Sequence, residues 1–196
     1  MRPLFFSFFI IVNFNAVAQK TSYSDSLKSF QKNYIQTHEV VKKSEQKYFK
    51  FFPVTESYRV LAAFEKINDT SGFIMKTSGK VSKKYFRYGM ISFTLDNKPF
   101  HLTVYQSEQL MKNEEYKNYL FVPFTDLTSG EQSYAGGKYI DLMLEDIKNN
   151  TILLDFNKAY NPYCAYTTGY NCPIPPREND LPVAIKAGEM AFGKSH

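Results

Sequence analysis

Two stretches of the chain concentrate side chains able to do chemistry. The first runs Pro123-Phe124-Thr125-Asp126-Leu127-Thr128-Ser129-Gly130 and resumes at Tyr134-Ala135-Gly136-Gly137-Lys138-Tyr139. The second runs from Leu154-Asp155-Phe156-Asn157 through Tyr160-Asn161-Pro162-Tyr163-Cys164 to Cys172-Pro173-Ile174-Pro175-Pro176-Arg177-Glu178-Asn179. Two carboxylates in unlike surroundings can divide general-acid and general-base work. If the flanking strands converge, Asp126 and Asp155 face one pocket with Tyr160, Asn161 and Glu178. The same residue types have a plainer use, because Asp-x-Thr and Asn-Pro close turns through side-chain to backbone hydrogen bonds. On that reading Asp126, Asp155 and Asn161 tie down a long loop.

Cys164 and Cys172, with seven residues between them, read first as a disulfide, then as a reactive thiol or half of a metal site. Cys164 is the candidate nucleophile if the thiols are free. Zinc needs two more ligands, and the chain offers only His38, His101 and His196, with no CxxC or HExxH; no metal or cofactor is expected. Gly136-Gly137 invites a phosphate loop, which requires a helix start after the glycines. Lys138-Tyr139-Ile140 reads as strand instead, so a tight turn or bulge is expected. No GxSxG nucleophile is present.

Whether the cysteines meet an oxidant depends on where the chain goes. Arg2 precedes residues 4–12, apolar except for Ser7, and Ala16-Val17-Ala18 follows. A positive start, a short greasy run and a small-x-small site describe a secretory signal peptide. The run is too short for a bilayer anchor, which takes about 20 residues. Cleavage after Ala18, Gln19 as the first mature residue, and a periplasmic or secreted product without a stable membrane span are expected.

The elements that must position these residues show in the periodicity. Leu27, Tyr34, Val41 and Tyr48 recur every seven residues with Phe30 between the first two, predicting a helix over 22–50 that Ser22 or Ser24 caps and Pro53 ends. From Tyr58 the period becomes two. Strands are expected at 58–64, 73–77 and 119–124, the last stopping near Pro123. Ile91, Phe93 and Leu95 alternate with polar residues up to Asp96-Asn97-Lys98-Pro99, after which Phe100, Leu102 and Val104 continue the alternation, predicting a hairpin. His101 falls on its polar face. A second hairpin is expected between 138–144 and 151–156 around Asn149-Asn150, and a last strand at 183–186. Short strands with turn signals predict a mainly β, antiparallel sandwich or barrel-like single domain with one N-terminal helix packed outside. The organisation expected is a signal peptide at 1–18, a helix at 19–51 and a β-rich domain at 52–196.

Composition excludes several classes. The chain has 196 residues, 43% hydrophobic and 22% charged, enough for one packed core. Its 18 Phe and 15 Tyr, with no Trp, suit half-buried strands. A net charge of +5 with lysines scattered among carboxylates is not the basic stripe of a nucleic-acid binder. The cluster from Lys83 to Tyr88 comes nearest to one, and reads more simply as a lysine-guarded strand edge.

The order PFTDLTSG, GGKYIDL, LDFNKAYNPYCAY and CPIPPREN-x-LPVAIKAGE resembles the bacterial family catalogued as domain of unknown function 1684. The match is specific over 119–189 and looser back to about Phe52. Family members usually have Arg where Lys138 stands, so a bidentate anion-binding role does not transfer to this lysine. The resemblance implies no reaction and supplies no catalytic residue.

The leading expectation is a small-molecule site walled by the 157–179 loop, since a stiff loop of about 20 residues is long for a compact domain. Tyr134, Lys138, Asn157, Tyr160, Asn161, Arg177, Glu178 and Asn179 are its candidate contacts. The alternatives are a hydrolase using Asp126 and Asp155, and a structural envelope protein with no site.

Overall fold

The computed structural model describes residues 15–194. Most of the predicted signal peptide therefore lies outside the described residues. Eight strands follow the N-terminal helix α1 (Asn15–Thr37): β1 (Arg59–Lys66), β2 (Phe73–Met75), β3 (Lys83–Leu95), β4 (Lys98–Ser107), β5 (Tyr119–Asp126), β6 (Lys138–Met143), β7 (Thr151–Asp155) and β8 (Asp180–Leu181). They form one sheet ordered β6-β5-β4-β3-β1-β7, with β2 beside β3 and β8 beside β5. All pairs are antiparallel except β5 with β8. The sheet curls into a half-barrel, which matches the mainly β, antiparallel, barrel-like fold expected, with the helix outside.

The β3–β4 hairpin forms where the alternation predicts it. Asp96 and Asn97 both take positive φ, 47° and 61°. That is the two-residue turn whose twist suits a hairpin, and short polar side chains tolerate it. Ile91, Phe93, Leu95, Leu102 and Val104 point inward, meeting Phe124, Ile140, Leu154 and Phe156 in one core, while His101 is exposed on the other face. Past His101, however, β4 is buried on both faces. A second cluster of Met75, Tyr85, Tyr105, Phe121 and Tyr139 covers the outer face there, roofed by the second chemistry-rich stretch.

Four expectations change. The helix ends at Thr37, not near residue 50, and the chain continues as a 3-10 turn at Lys43–Tyr48. Thr37 Oγ1 back-bonds to the Asn33 carbonyl and His38 Nδ1 accepts the Val41 N–H. These local bonds compete with helical ones, and Val40-Val41 is a poor helix former. Strand β5 runs through Pro123 to Asp126. On that side the buried Asn179 amide is wedged between the strands: its Nδ2 donates to the Thr103 and Pro123 carbonyls and its Oδ1 accepts the Thr103 N–H. A side chain thus takes the place of ladder bonds at the position where proline has no N–H to give.

Strands β6 and β7 are not a hairpin. Asn149 and Asn150 do make a positive-φ turn, but it closes only the bridge from Lys148 to Thr151. Strand β6 then pairs with β5 and β7 with β1, at opposite edges of the sheet. Finally, residues 183–186 form no strand; the closing strand is Asp180–Leu181, parallel to β5.

Candidate functional site

The two carboxylates that the sequence singles out have different fates. Asp126 is sealed in the core, its side chain wholly inaccessible, with Oδ2 3.2 Å from Lys138 Nζ. Its Oδ1 accepts the N–H groups of Thr128 and Ile185. Lys138 Nζ also donates to the Ile185 and Ala187 carbonyls and lies over the rings of Phe52 and Phe124. Burial lowers the Lys138 pKa and the Asp126 charge opposes that shift. Asp155, by contrast, accepts from Tyr23 Oη at 3.0 Å and from the Asn157 N–H and side-chain amide at 3.1 Å. It lines a cavity of about 370 Å³ between α1 and the outermost strands β6 and β7. Asp126 and Asp155 are therefore not brought to one pocket, and Asp126 has no access to a substrate.

Several other candidates are ties. Buried Asn157 exchanges bonds with both the N–H and the carbonyl of Thr55. Asn161, also buried, gives its N–H to Glu189 and its amide to the Met190 carbonyl. Glu178 is held by Arg87 through two bonds, at 2.8 and 3.2 Å, and by Tyr105 Oη at 2.7 Å. Tyr134 packs on the cluster around Phe49 and Tyr166. Its ring also fills the space a side chain at Gly136 would need. Gly137 closes the following turn at φ 85°, bonding back to Tyr134, where a Cβ would lie 2.4 Å from the Phe124 carbonyl. The paired glycines thus make a tight turn into β6, and no helix follows them. Arg177 is exposed at the start of a 3-10 turn, without an ion pair among the described residues.

Cys164 and Cys172 are joined, Cα to Cα 6.3 Å. As a disulfide sulfur, Cys164 Sγ is not a thiolate nucleophile. The bridge clamps the loop where it returns to the sheet. Ser78 donates its N–H to the Cys172 carbonyl and its Oγ accepts the Cys172 N–H, while the Ile174 N–H bonds to the Lys76 carbonyl. Between loop and sheet lies a cavity of about 420 Å³ whose walls include Tyr160, Tyr163, Tyr170 and Pro173 from the loop, and Tyr139 and Lys83 from the sheet. Tyr139 Oη donates to the Pro173 carbonyl, closing the floor. Burial depresses the pKa of Lys83.

One functional candidate was not visible in the motifs. Asp141 shares the outer face of β6 with Tyr139 and accepts on Oδ1 from both Tyr160 Oη, at 2.6 Å, and Tyr119 Oη. Solvent reaches its side chain, yet the surrounding protein raises its pKa by desolvation, against the two phenol bonds that lower it. It lines the cavity beside Asp155 and a neighbouring one of about 480 Å³. Its alternation with Tyr139 was the available signal, since an acid on an aromatic strand face calls for a partner.

Residues 45–190 match the model of a family described as "Protein of unknown function (DUF1684)". The solution NMR structure of an uncharacterized protein from Haloarcula marismortui is similar, with 29% identity and a TM-score of 0.65 over 88% of this chain and 96% of that one. No functionally curated protein matches the chain.

Proposed function

Since this chain belongs to the family of proteins of unknown function DUF1684, we propose from its geometry that it binds a small molecule in the pocket walled by the 157–179 loop. The observation carrying this reading is the cavity of about 420 Å³ held open between a disulfide-clamped loop and the outer sheet face. Its volume is in the range of small-molecule sites, and its walls are tyrosine and proline faces with few polar groups. A loop already fixed by a bridge and by backbone bonds to Lys76 and Ser78 loses little entropy when a ligand arrives.

Lys83 selects the ligand. It is partly buried and has no carboxylate partner among the described residues. A half-desolvated ammonium gains most from an anion. The ligand is therefore a flat, largely apolar body bearing one anionic group. We also propose that the chain is exported, with cleavage after Ala18; the disulfide supports an oxidising compartment. No helix among the described residues is long and apolar enough to cross a membrane.

The test uses 8-anilinonaphthalene-1-sulfonate, a flat apolar anion. Titration of the folded protein gives saturable, one-to-one fluorescence, weakened about tenfold in Lys83→Gln and in Tyr170→Ala, roughly 1.4 kcal/mol each. Both positions are partly exposed, so the variants fold. Binding that does not saturate, or that ignores both substitutions, overturns the proposal.

A further inference from the structure

We propose that the cleft under α1, on the far side of Tyr160 from the loop-walled pocket, is a second site that takes an organic ammonium ion. The cavity, about 480 Å³, is walled by Phe30, Tyr34 and His38 on one side and by Asp141, Tyr160 and Tyr163 on the other. Five ring side chains and the Asp141 carboxylate line one space. This is the combination that holds a substituted ammonium, by cation–π attraction together with a full counter-charge.

The charge balance of the cleft carries the inference. Asp141 uses Oδ1 for its two tyrosine bonds, and Oδ2 accepts nothing among the described residues. No lysine or arginine of the described residues lies within 4 Å of it. Lys158, the cation on the cavity wall, is instead 5.6 Å from the Phe30 ring centroid. A second carboxylate, Glu39, stands at the rim, where Tyr163 Oη holds it at 2.8 Å. His38 does not supply the missing positive charge. Its Nδ1 accepts the Val41 N–H, which puts the proton on Nε2, and burial lowers its pKa to about 4, so the ring is neutral at physiological pH. The Asp141 carboxylate thus brings to an aromatic-walled cavity a charge that no side chain of the described residues neutralises, and a bound cation supplies the counter-charge.

The cation is organic rather than a metal ion. Among the described residues no three acidic, histidine or cysteine side chains converge closely enough to coordinate one, and the walls beside Asp141 and Glu39 are mostly aromatic rings, with Lys158 itself a cation. Metal sites for hard cations need six or more oxygen ligands. Because Tyr34 and Phe30 come from α1 and Asp141 and Tyr160 from the sheet domain, the ligand bridges the two and tightens the helix on the half-barrel.

Choline and its neutral isostere 3,3-dimethyl-1-butanol separate charge recognition from apolar filling. In calorimetric or NMR titrations of the full folded chain, choline binds saturably and the isostere at least about tenfold more weakly. Asp141→Asn abolishes the difference between the two ligands. As that substitution also disturbs the Tyr119 and Tyr160 bonds, Phe30→Ala, at a 40% exposed ring, is the second variant. It retains the melting temperature and loses several-fold in choline affinity. Equal binding of choline and the isostere, no saturable choline binding to the folded wild type, or choline binding unchanged in Phe30→Ala and Asp141→Asn overturns the inference. The sulfonate titration uses Lys83 and Tyr170, which do not wall this cleft, so the two proposals fail separately.

Discussion

Asp126 and Lys138 form an ion pair with Oδ2 and Nζ 3.2 Å apart, and neither side chain is reached by solvent. The pair joins β5 to β6, and through the Ile185 amide and carbonyl and the Ala187 carbonyl it staples the C-terminal segment across the end of the half-barrel. Together with the wedge at Asn179, it fastens strands β4 to β6 to the C-terminal segment.

Breaking this pair therefore acts on stability. Lys138→Met strands a buried carboxylate and two carbonyls and costs about 3–5 kcal/mol. Asp126→Asn costs less, because an amide oxygen still accepts from Thr128 and Ile185, and the Lys138 ammonium, whose pKa burial already lowers, can shed its proton. Denaturant unfolding of the two variants gives that order. The reverse order contradicts the assignment.

Glu189 makes the fold sensitive to pH. It is fully buried and accepts from Tyr166, Tyr34 and the Asn161 N–H. Burial raises its pKa to about 7, while those hydrogen bonds oppose the shift. The folded state therefore holds this proton more tightly than the unfolded chain. The stability it contributes is fully present below the unfolded carboxyl range near 4.5 and is lost as pH rises through about 7. Glu189→Gln cannot titrate. The stability of wild type minus that of Glu189→Gln falls between about pH 4.5 and about pH 7, and a flat difference refutes the raised pKa. Because Tyr34 belongs to α1, the docking of that helix is where the loss shows in hydrogen exchange.

The Cys164–Cys172 bridge closes a short loop. Reduction, or Cys172→Ala, costs about 2–3 kcal/mol on the chain-entropy account. The loss is concentrated in the loop, so amides such as those of Cys172 and Ile174, bonded to Ser78 and Lys76, exchange faster than the core strands. Unchanged exchange in the loop after reduction contradicts the clamp.

Legibility followed the range of the interaction. The β3–β4 hairpin could be read because Asp96-Asn97 and the flanking alternation are local, and the turn fixes the register. The edges were not readable, since alternation shows which face a residue takes but not which strand lies beside it. Asn149-Asn150 turns as predicted, yet its closing partner is Lys148, and β6 goes to β5. The fate of Asp126 depended on that register, because pairing Phe124 with Lys138 is what brings the ammonium next to the carboxylate. Asp141 was missed for the same reason. Its partners Tyr119 and Tyr160 lie 22 and 19 residues away, so the alternation with Tyr139 marks its face but not its partners. The clamped loop is legible because prolines, tyrosines and the cysteine pair all lie in one continuous stretch.

A ligand pocket between the 157–179 loop and the outer sheet face stands or falls on titrating 8-anilinonaphthalene-1-sulfonate into the isotope-labelled, disulfide-intact chain and mapping the shifted amides. Binding in the pocket gives saturable shifts confined to residues around Val81–Lys83, Tyr139 and 160–173. Shifts scattered over the exposed surface, or centred on the core strands, would contradict it.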